Sequence, residues 1–563
     1  MSRSPRVWSA MLCLFPVVAC EDSAGPGVEP CTAANSEVVT LGVGEYTSVD
    51  AYATTGCIMF PANTNVTEVE YLIVPQAATG TPGRTLSFKL QGDAATLAAP
   101  PAMTASVQST PGGVAQRFHE FLRRGEEARS WGDLRPRSAP AGAPAVAAAQ
   151  APKPVVGDLR EFSVCRDLDC GNFTDVGARA RAVGQRLAIF IDTLAPTNGL
   201  SQADLDGLIT LFDSRLYAID TAAFGRESDI NQDSVVIVLM TNVVNSLVTA
   251  ADCDANGAFV AGFFLGADID PAFATDGRLN HAEIFYSIVA DPSGTLSCAH
   301  SASQVTRFVP ITFIHEFQHM ISYNEHVLVR GQRNGEQLWL NEGLSHYAEE
   351  LGGRSFLAEG DNQTFTDYVI GDLFNAYHFL EAPGDHFLLP RTGIGTLEER
   401  GAQWLYVRYL VDQYATDNTR PAWDVFTRRL VQTADTGASN VQAVTGASFA
   451  TTVGRWALTN WVSDLPGFAT PAELTYESWS FRSTFAQLNA QNPTRFPQPF
   501  PLAPTSSEGS AIDLAGTLRA GSGMYHRALH PAGALAFVLT FRATDGWALA
   551  PSHFPRLNVI RLR

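Results

Sequence analysis

Phe308-Val309-Pro310-Ile311-Thr312-Phe313-Ile314-His315-Glu316-Phe317-Gln318-His319-Met320-Ile321 is the stretch on which the reading of this 563-residue chain turns. Positions four apart share one face of a helix, so His315 and His319 aim their imidazoles at a common point. Pro310 suits a first helical turn, where its missing N–H costs little. Ile311, Ile314, Gln318 and Ile321 fill the remaining faces with mostly buried-type side chains, which predicts a helix running through a core. Two imidazoles converging in this way suit a tetrahedral Zn²⁺. Glu316 stands beside the first imidazole. It can reach a water at the metal without taking a coordination position, as a general base must.

A second stretch, Trp339-Leu340-Asn341-Glu342-Gly343-Leu344-Ser345-His346-Tyr347-Ala348-Glu349-Glu350-Leu351, also reads as helix. Glu342 follows His319 by 23 positions, enough for a second helix to fold back antiparallel and offer a carboxylate. Two histidines and one glutamate leave an open fourth position, the arrangement of catalytic rather than structural zinc. Glu349 competes for the ligand role, because it falls on the same helical face seven residues later. His346 shares that face, either as a substrate contact or as a plain surface histidine.

Together these words resemble the gluzincin metallopeptidases, whose pattern is H-E-x-x-H followed some twenty residues later by N-E-[AG]. The flanking residues look most like the hyicolysin-type bacterial family. The resemblance is strong over 308–351 and weaker over 200–415. It implies zinc on His315, His319 and Glu342, with Glu316 as catalytic acid/base. It also implies that Glu349 is an outer partner holding a zinc histidine, since metal-bound imidazoles usually donate their second N–H to a carboxylate. A further implication is an upstream edge strand that pairs with substrate backbone; Glu283–Ser287 is either that strand or an ordinary interior one. Aminopeptidase-type relatives carry a tyrosine shortly before a Gly-Ala pair, as donor to the developing oxyanion. Here Glu398-Glu399-Arg400-Gly401-Ala402 lacks it. Tyr406 stands as the substitute candidate, with Tyr409, Arg400, His378 and His386 behind it.

The chain begins with a positive end (Arg3, Arg6) and a thirteen-residue, mostly apolar run, Val7 to Ala19, too short to span a bilayer. It ends Val17-Val18-Ala19-Cys20, similar to a bacterial lipoprotein signal. That implies a lipid on Cys20, a Gly/Pro/acid-rich tether over 21–30, and location at the bacterial cell envelope or surface. Setting aside Cys13 and Cys20, six of the eight cysteines remain. An even remainder in an exported chain suggests disulfides, and proximity favours Cys31–Cys57, Cys165–Cys170 and Cys253–Cys298 among fifteen connectivities. The net charge of −19 argues against nucleic acid and against anionic lipid surfaces, leaving the lipid as the membrane contact.

The expected architecture is α+β. Residues 31–95 alternate like strands and read as a small β-sandwich. Residues 96–154 read as an Ala/Pro-rich linker with a short arginine-bearing helix from Val114 to Trp131, a solvated connector; a pro-segment removed by proteolysis is the other reading left open. A two-lobed catalytic domain over 155–468 would be β-rich first and α-rich second, with zinc between the lobes. One long strand is expected at 179–191 and a buried one at 235–240. Residues 469–563 read as a second β-sandwich. Asp229, Asn231 and Asp233 match the start of a calcium loop, although the loop lacks its glycine and closing glutamate, and a polar turn competes. The expected activity is that of a monomeric zinc endopeptidase acting on protein or peptide. The alternative is a weak or inactive peptidase-like lipoprotein serving as a binding module. An exopeptidase would need a group that captures a substrate N-terminus, and no paired-glutamate signature for one stands out.

Overall fold

The computed structural model describes residues 29–93, 113–134, 151–256 and 259–563. The expected signal peptide with Cys20, nearly all of the tether and much of the linker lie outside the described residues. Among the described residues, no helix is long and apolar enough to cross a membrane.

The first five strands are β1 (Glu37–Val38), β2 (Tyr46–Asp50), β3 (Cys57–Phe60), β4 (Val69–Ala77) and β5 (Thr85–Gly92). Six more, β6 (Leu159–Cys165), β7 (Phe173–Val183), β8 (Leu187–Asp192), β9 (Val236–Met240), β10 (Gly262–Phe264) and β11 (Ile284–Ser287), belong to the middle of the chain. The last five are β12 (Thr505–Glu508), β13 (Asp513–Arg519), β14 (His526–His530), β15 (Phe537–Arg542) and β16 (Pro555–Arg561).

The two sandwiches expected at the chain's ends are one. The sheets run β1-β3-β15-β5-β13 and β12-β14-β4-β16-β2. Strand β15 lies between β3 and β5, and β16 between β4 and β2, so each end of the chain fills gaps left by the other. The physical reason is pairing: without β15 and β16, four strands of the first segment would show bare edges. The shared core joins Ile58, Phe60, Ile73 and Phe88 to Phe537, Leu539, Phe541 and Val559. Phe60 stacks on Phe537 at 4.7 Å. The second boundary also moves. Residues 469–504 include a helix, Phe481–Gln491, and Trp479 and Phe481 pack on Trp404 of the helical half. The β-rich part therefore starts near Thr505.

The middle sheet runs β10-β11-β9-β8-β7-β6. Strands β8, β9 and β11 are parallel, and β10 is antiparallel to β11. The single strand expected at 179–191 is a hairpin. The chain reverses at Gly184, where the Asp213 carboxylate accepts from the Gln185 and Arg186 amides. The strand considered for substrate pairing, Glu283–Ser287, contains β11 and is interior, bonded to β9 on one side and β10 on the other. The outer strand on that side is β10.

The helices that matter below are α1 (Val114–Ala128), α2 (Ala302–Tyr323), α3 (Leu338–Leu357), α4 (Asn362–Glu381), α5 (Leu397–Tyr414) and α6 (Phe449–Val462). Ser301 and Gln304 close a capping box, so α2 starts well before Pro310. Pro310 thus lies inside the helix rather than in its first turn, where it forgoes one ladder hydrogen bond. Cys31–Cys57, Cys165–Cys170 and Cys253–Cys298 are all disulfide-bonded.

Candidate metal centre

Helices α2 and α3 pack together and bring three side chains to one point. His315 Nε2 and His319 Nε2 are 3.2 Å apart, and Glu342 Oε1 is 3.5 Å from His319 Nε2. The three candidate ligand atoms lie within 4.8 Å of one another. Glycine in Asn341-Glu342-Gly343 has a packing reason. A Cβ at Gly343 would stand 2.9 Å from the Gln403 carbonyl oxygen and from a Val407 methyl on α5. Only glycine lets α5 seat this closely behind Glu342.

The second ring nitrogen of His315 is also engaged: Nδ1 is 2.6 Å from Glu349 Oε1. This contact fixes the ring so that Nε2 faces His319 and Glu342. Behind it, His346 Nδ1 lies 3.2 Å from the same Glu349 oxygen and 2.9 Å from Asp372 Oδ1. Burial works against charge on His346, but these two carboxylates outweigh it and hold its pKa up at about 10. Glu349 is held down to about 2 against its own burial, by His346 and His315. His319 is fully buried, and burial together with Arg123 and His315 keeps its ring neutral.

These residues fit a zinc ion. Two ring nitrogens face each other at 3.2 Å with a carboxylate beside them, deep in the protein. Two imidazoles and one glutamate form a donor set used by catalytic zinc, and a cation satisfies all three at once. A second set, His315, His346 and Glu349, also lies within ligand range, but it uses the ring nitrogen of His315 that faces away from His319.

Glu316 is 1% exposed, and its Oε2 accepts from the Phe264 amide of β10 at 2.9 Å. Burial raises its pKa; Arg123 and His315 pull the other way. The Arg123 contact was hidden from sequence reasoning, which put 114–131 in a solvated connector. Helix α1 is instead packed in, with Phe118 and Leu122 fully buried and Arg123 1% exposed. Arg123 Nη2 lies 3.3 Å from Glu316 Oε2 and donates to the Phe264 carbonyl at 3.1 Å. Its Nη1 is 3.0 Å from Glu126, whose other carboxylate oxygen accepts from the Asn341 carboxamide. The spacing Val114, Phe118, Leu122 was a visible signal of a buried face; the arginines between them read as solvent-facing.

Of the other site candidates, Tyr406, Tyr409 and His378 are engaged elsewhere. Tyr406 is fully buried among Trp339, Phe449 and Trp456, and its hydroxyl meets Thr452 Oγ1 at 2.6 Å. It is a core aromatic rather than a free donor. Tyr409 donates to the Glu473 carbonyl, and His378 pairs with Glu381. Asp229, Asn231 and Asp233 form a polar turn. Their side-chain oxygens accept from the Ser234, Asp233 and Val235 amides, and among the described residues they do not gather into a metal-type cluster.

No family model matches the chain. A neutral metalloprotease, ShpI, from Staphylococcus hyicus is 25% identical over 140 residues, a quarter of this chain. The chain spans only 29% of that protein's length. Yeast leukotriene A4 hydrolase bound to bestatin gives a TM-score of 0.31 at 13% identity, over 57% of this chain and 43% of that one. The native enzyme from Saccharomyces cerevisiae gives 0.26 at 12%, over 48% and 38%. Likenesses that loose carry no weight for the fold. What stands is a stretch of metalloprotease similarity in a chain whose two helices gather a zinc-type donor set.

Proposed function

We propose that this chain is a zinc-dependent endopeptidase. The observation that carries the reading is the convergence of His315, His319 and Glu342, with the Glu316 carboxylate on the next residue of the same helix. Zinc held by those three would supply Lewis acidity to the scissile carbonyl and the attacking water. Oε2 of Glu316 is tied to the Phe264 amide, so Oε1 is the atom that takes the water's proton and hands it to the leaving amine. The outer edge of β10 takes the substrate backbone as an added strand, which gives affinity with little dependence on sequence. Glu349 keeps the His315 ring turned toward the metal.

The reading includes export, with Cys20 as the lipid attachment and the envelope as the place of action. Three disulfides suit an oxidising compartment. Zinc content and cleavage of casein or an internally quenched peptide, for wild type and Glu316→Gln, test the chemistry. We expect zinc in both and a fall of about 10²–10⁴ in hydrolysis for the variant. A zinc-loaded wild type without hydrolysis under any activating condition would refute the peptidase and leave the metal centre.

A further inference from the structure

Helix α1 stands where a substrate would have to lie. On the β side, Phe118 packs edge-to-face on Phe263 of β10 at 4.8 Å, and Arg123 takes the Phe264 carbonyl. Beyond the helix, Arg129 makes a two-pronged contact with Asp270, and Trp131 packs on Phe273 and Tyr323. On the helical side, Gln116 donates to the Gly395 carbonyl at 2.6 Å, and the Gly335 amide donates to the Glu126 carbonyl at 3.2 Å. The segment thus bridges both halves directly over Glu316. One buried guanidinium holds the β10 carbonyl that the proposed strand pairing needs free, and sets its charge against the Oε2 side of the base.

We propose that α1 is an internal plug: the full chain is latent, with residues 114–131 filling the substrate-pairing side of the metal cleft, and it becomes active when this helix is displaced. The proposal rests on the peptidase reading for its activity, and on packing alone for its occupancy. Arg123 neutralises Glu316 as an incoming peptide could not, since a peptide bond carries no charge. The docking is specific. A Cβ at Gly125 would sit 1.9 Å from the Trp131 ring, so only glycine lets that indole fold back and donate to the Leu122 carbonyl. An open fraction that is small in the intact chain lowers apparent substrate affinity by that same fraction.

The test uses the zinc-loaded full chain, comparing wild type with Arg123→Ala and Gly125→Ala. The second variant leaves every charge at the site in place and favours helix, yet clashes with Trp131. Arg129→Ala, at the half-exposed end of the segment, is the milder version should Gly125→Ala fail to fold. Two rates are read: hydrolysis of an internally quenched peptide, and stripping of zinc by EDTA. We expect both to rise by about tenfold or more in the variants. A fall in hydrolysis with zinc retained and an unchanged melting temperature would overturn the plug and make α1 part of the working cleft. Unchanged rates in every folded variant would overturn it too. Faster stripping with no hydrolysis in any variant would keep the plug and refute the peptidase.

Discussion

Replacing Glu349 separates its role from that of Glu342. Its carboxylate makes one short contact to a candidate ligand ring, 2.6 Å to His315 Nδ1, and a second of 3.2 Å to His346. If it acts through His315, its removal lets the ring turn and weakens its basicity, but leaves three ligands in place. Outer partners of this kind are worth about 10–100-fold in metal affinity, or roughly 1.4–2.8 kcal/mol. Glu349→Gln keeps an oxygen that can still accept from Nδ1–H and should fall near the lower end, about tenfold. Glu349→Ala should approach a hundredfold, because His346 stays engaged by Asp372 at 2.9 Å and cannot take over. Glu342→Gln, by contrast, should abolish tight binding. Titrating each apoprotein against a zinc chelator of known affinity at neutral pH reads all three. Unchanged affinity in Glu349→Ala would refute the orienting role. Loss of zinc in Glu349→Ala with retention in Glu342→Gln would exchange the two residues.

Three further outcomes follow from the packing. Gly343→Ala should push α3 off α5, costing about 1–3 kcal/mol in thermal unfolding and weakening zinc with it, since the added methyl meets Gln403 and Val407 at 2.9 Å. Residues 29–93 expressed alone should be unfolded by circular dichroism, and adding a 505–563 polypeptide should restore β structure; a folded 29–93 fragment would contradict the interleaved sheets. Burial holds His526 neutral, with its pKa down at about 4. The unfolded chain binds a proton near 6.5 that the folded chain refuses, so stability should drop as pH falls from about 6.5 towards 4. His526→Gln should flatten that slope in melts across the range.

How much of this could be read beforehand depends on how local each signal is. The convergence of His315 and His319 follows from one helix's period, and Glu342 from the distance a chain needs to return. The Glu349 contact was within reach because it lies two turns along the same face. Strand order was not legible: β15 belongs between β3 and β5, hundreds of residues away, and nothing in the alternation of either segment names its neighbour. The outermost position of β10 escaped for the same reason, since edge or interior is a property of the whole sheet. Tyr406 shows the other limit. A tyrosine on a helix reads the same whether it faces a cleft or a core, and only its partners, Thr452 and Trp456, decide. Helix α1 was misread because arginine counts as a surface residue; Arg123 is buried by an acid 193 positions away.

The zinc environment is the most direct test of the account. X-ray absorption on the zinc-loaded chain should show one ion with two imidazole nitrogens at about 2.0–2.1 Å and carboxylate oxygen at about 2.0–2.2 Å. His319→Ala should remove the ion or halve the imidazole signal. A sulfur shell near ~2.3 Å, or an imidazole signal unchanged by His319→Ala, would contradict it.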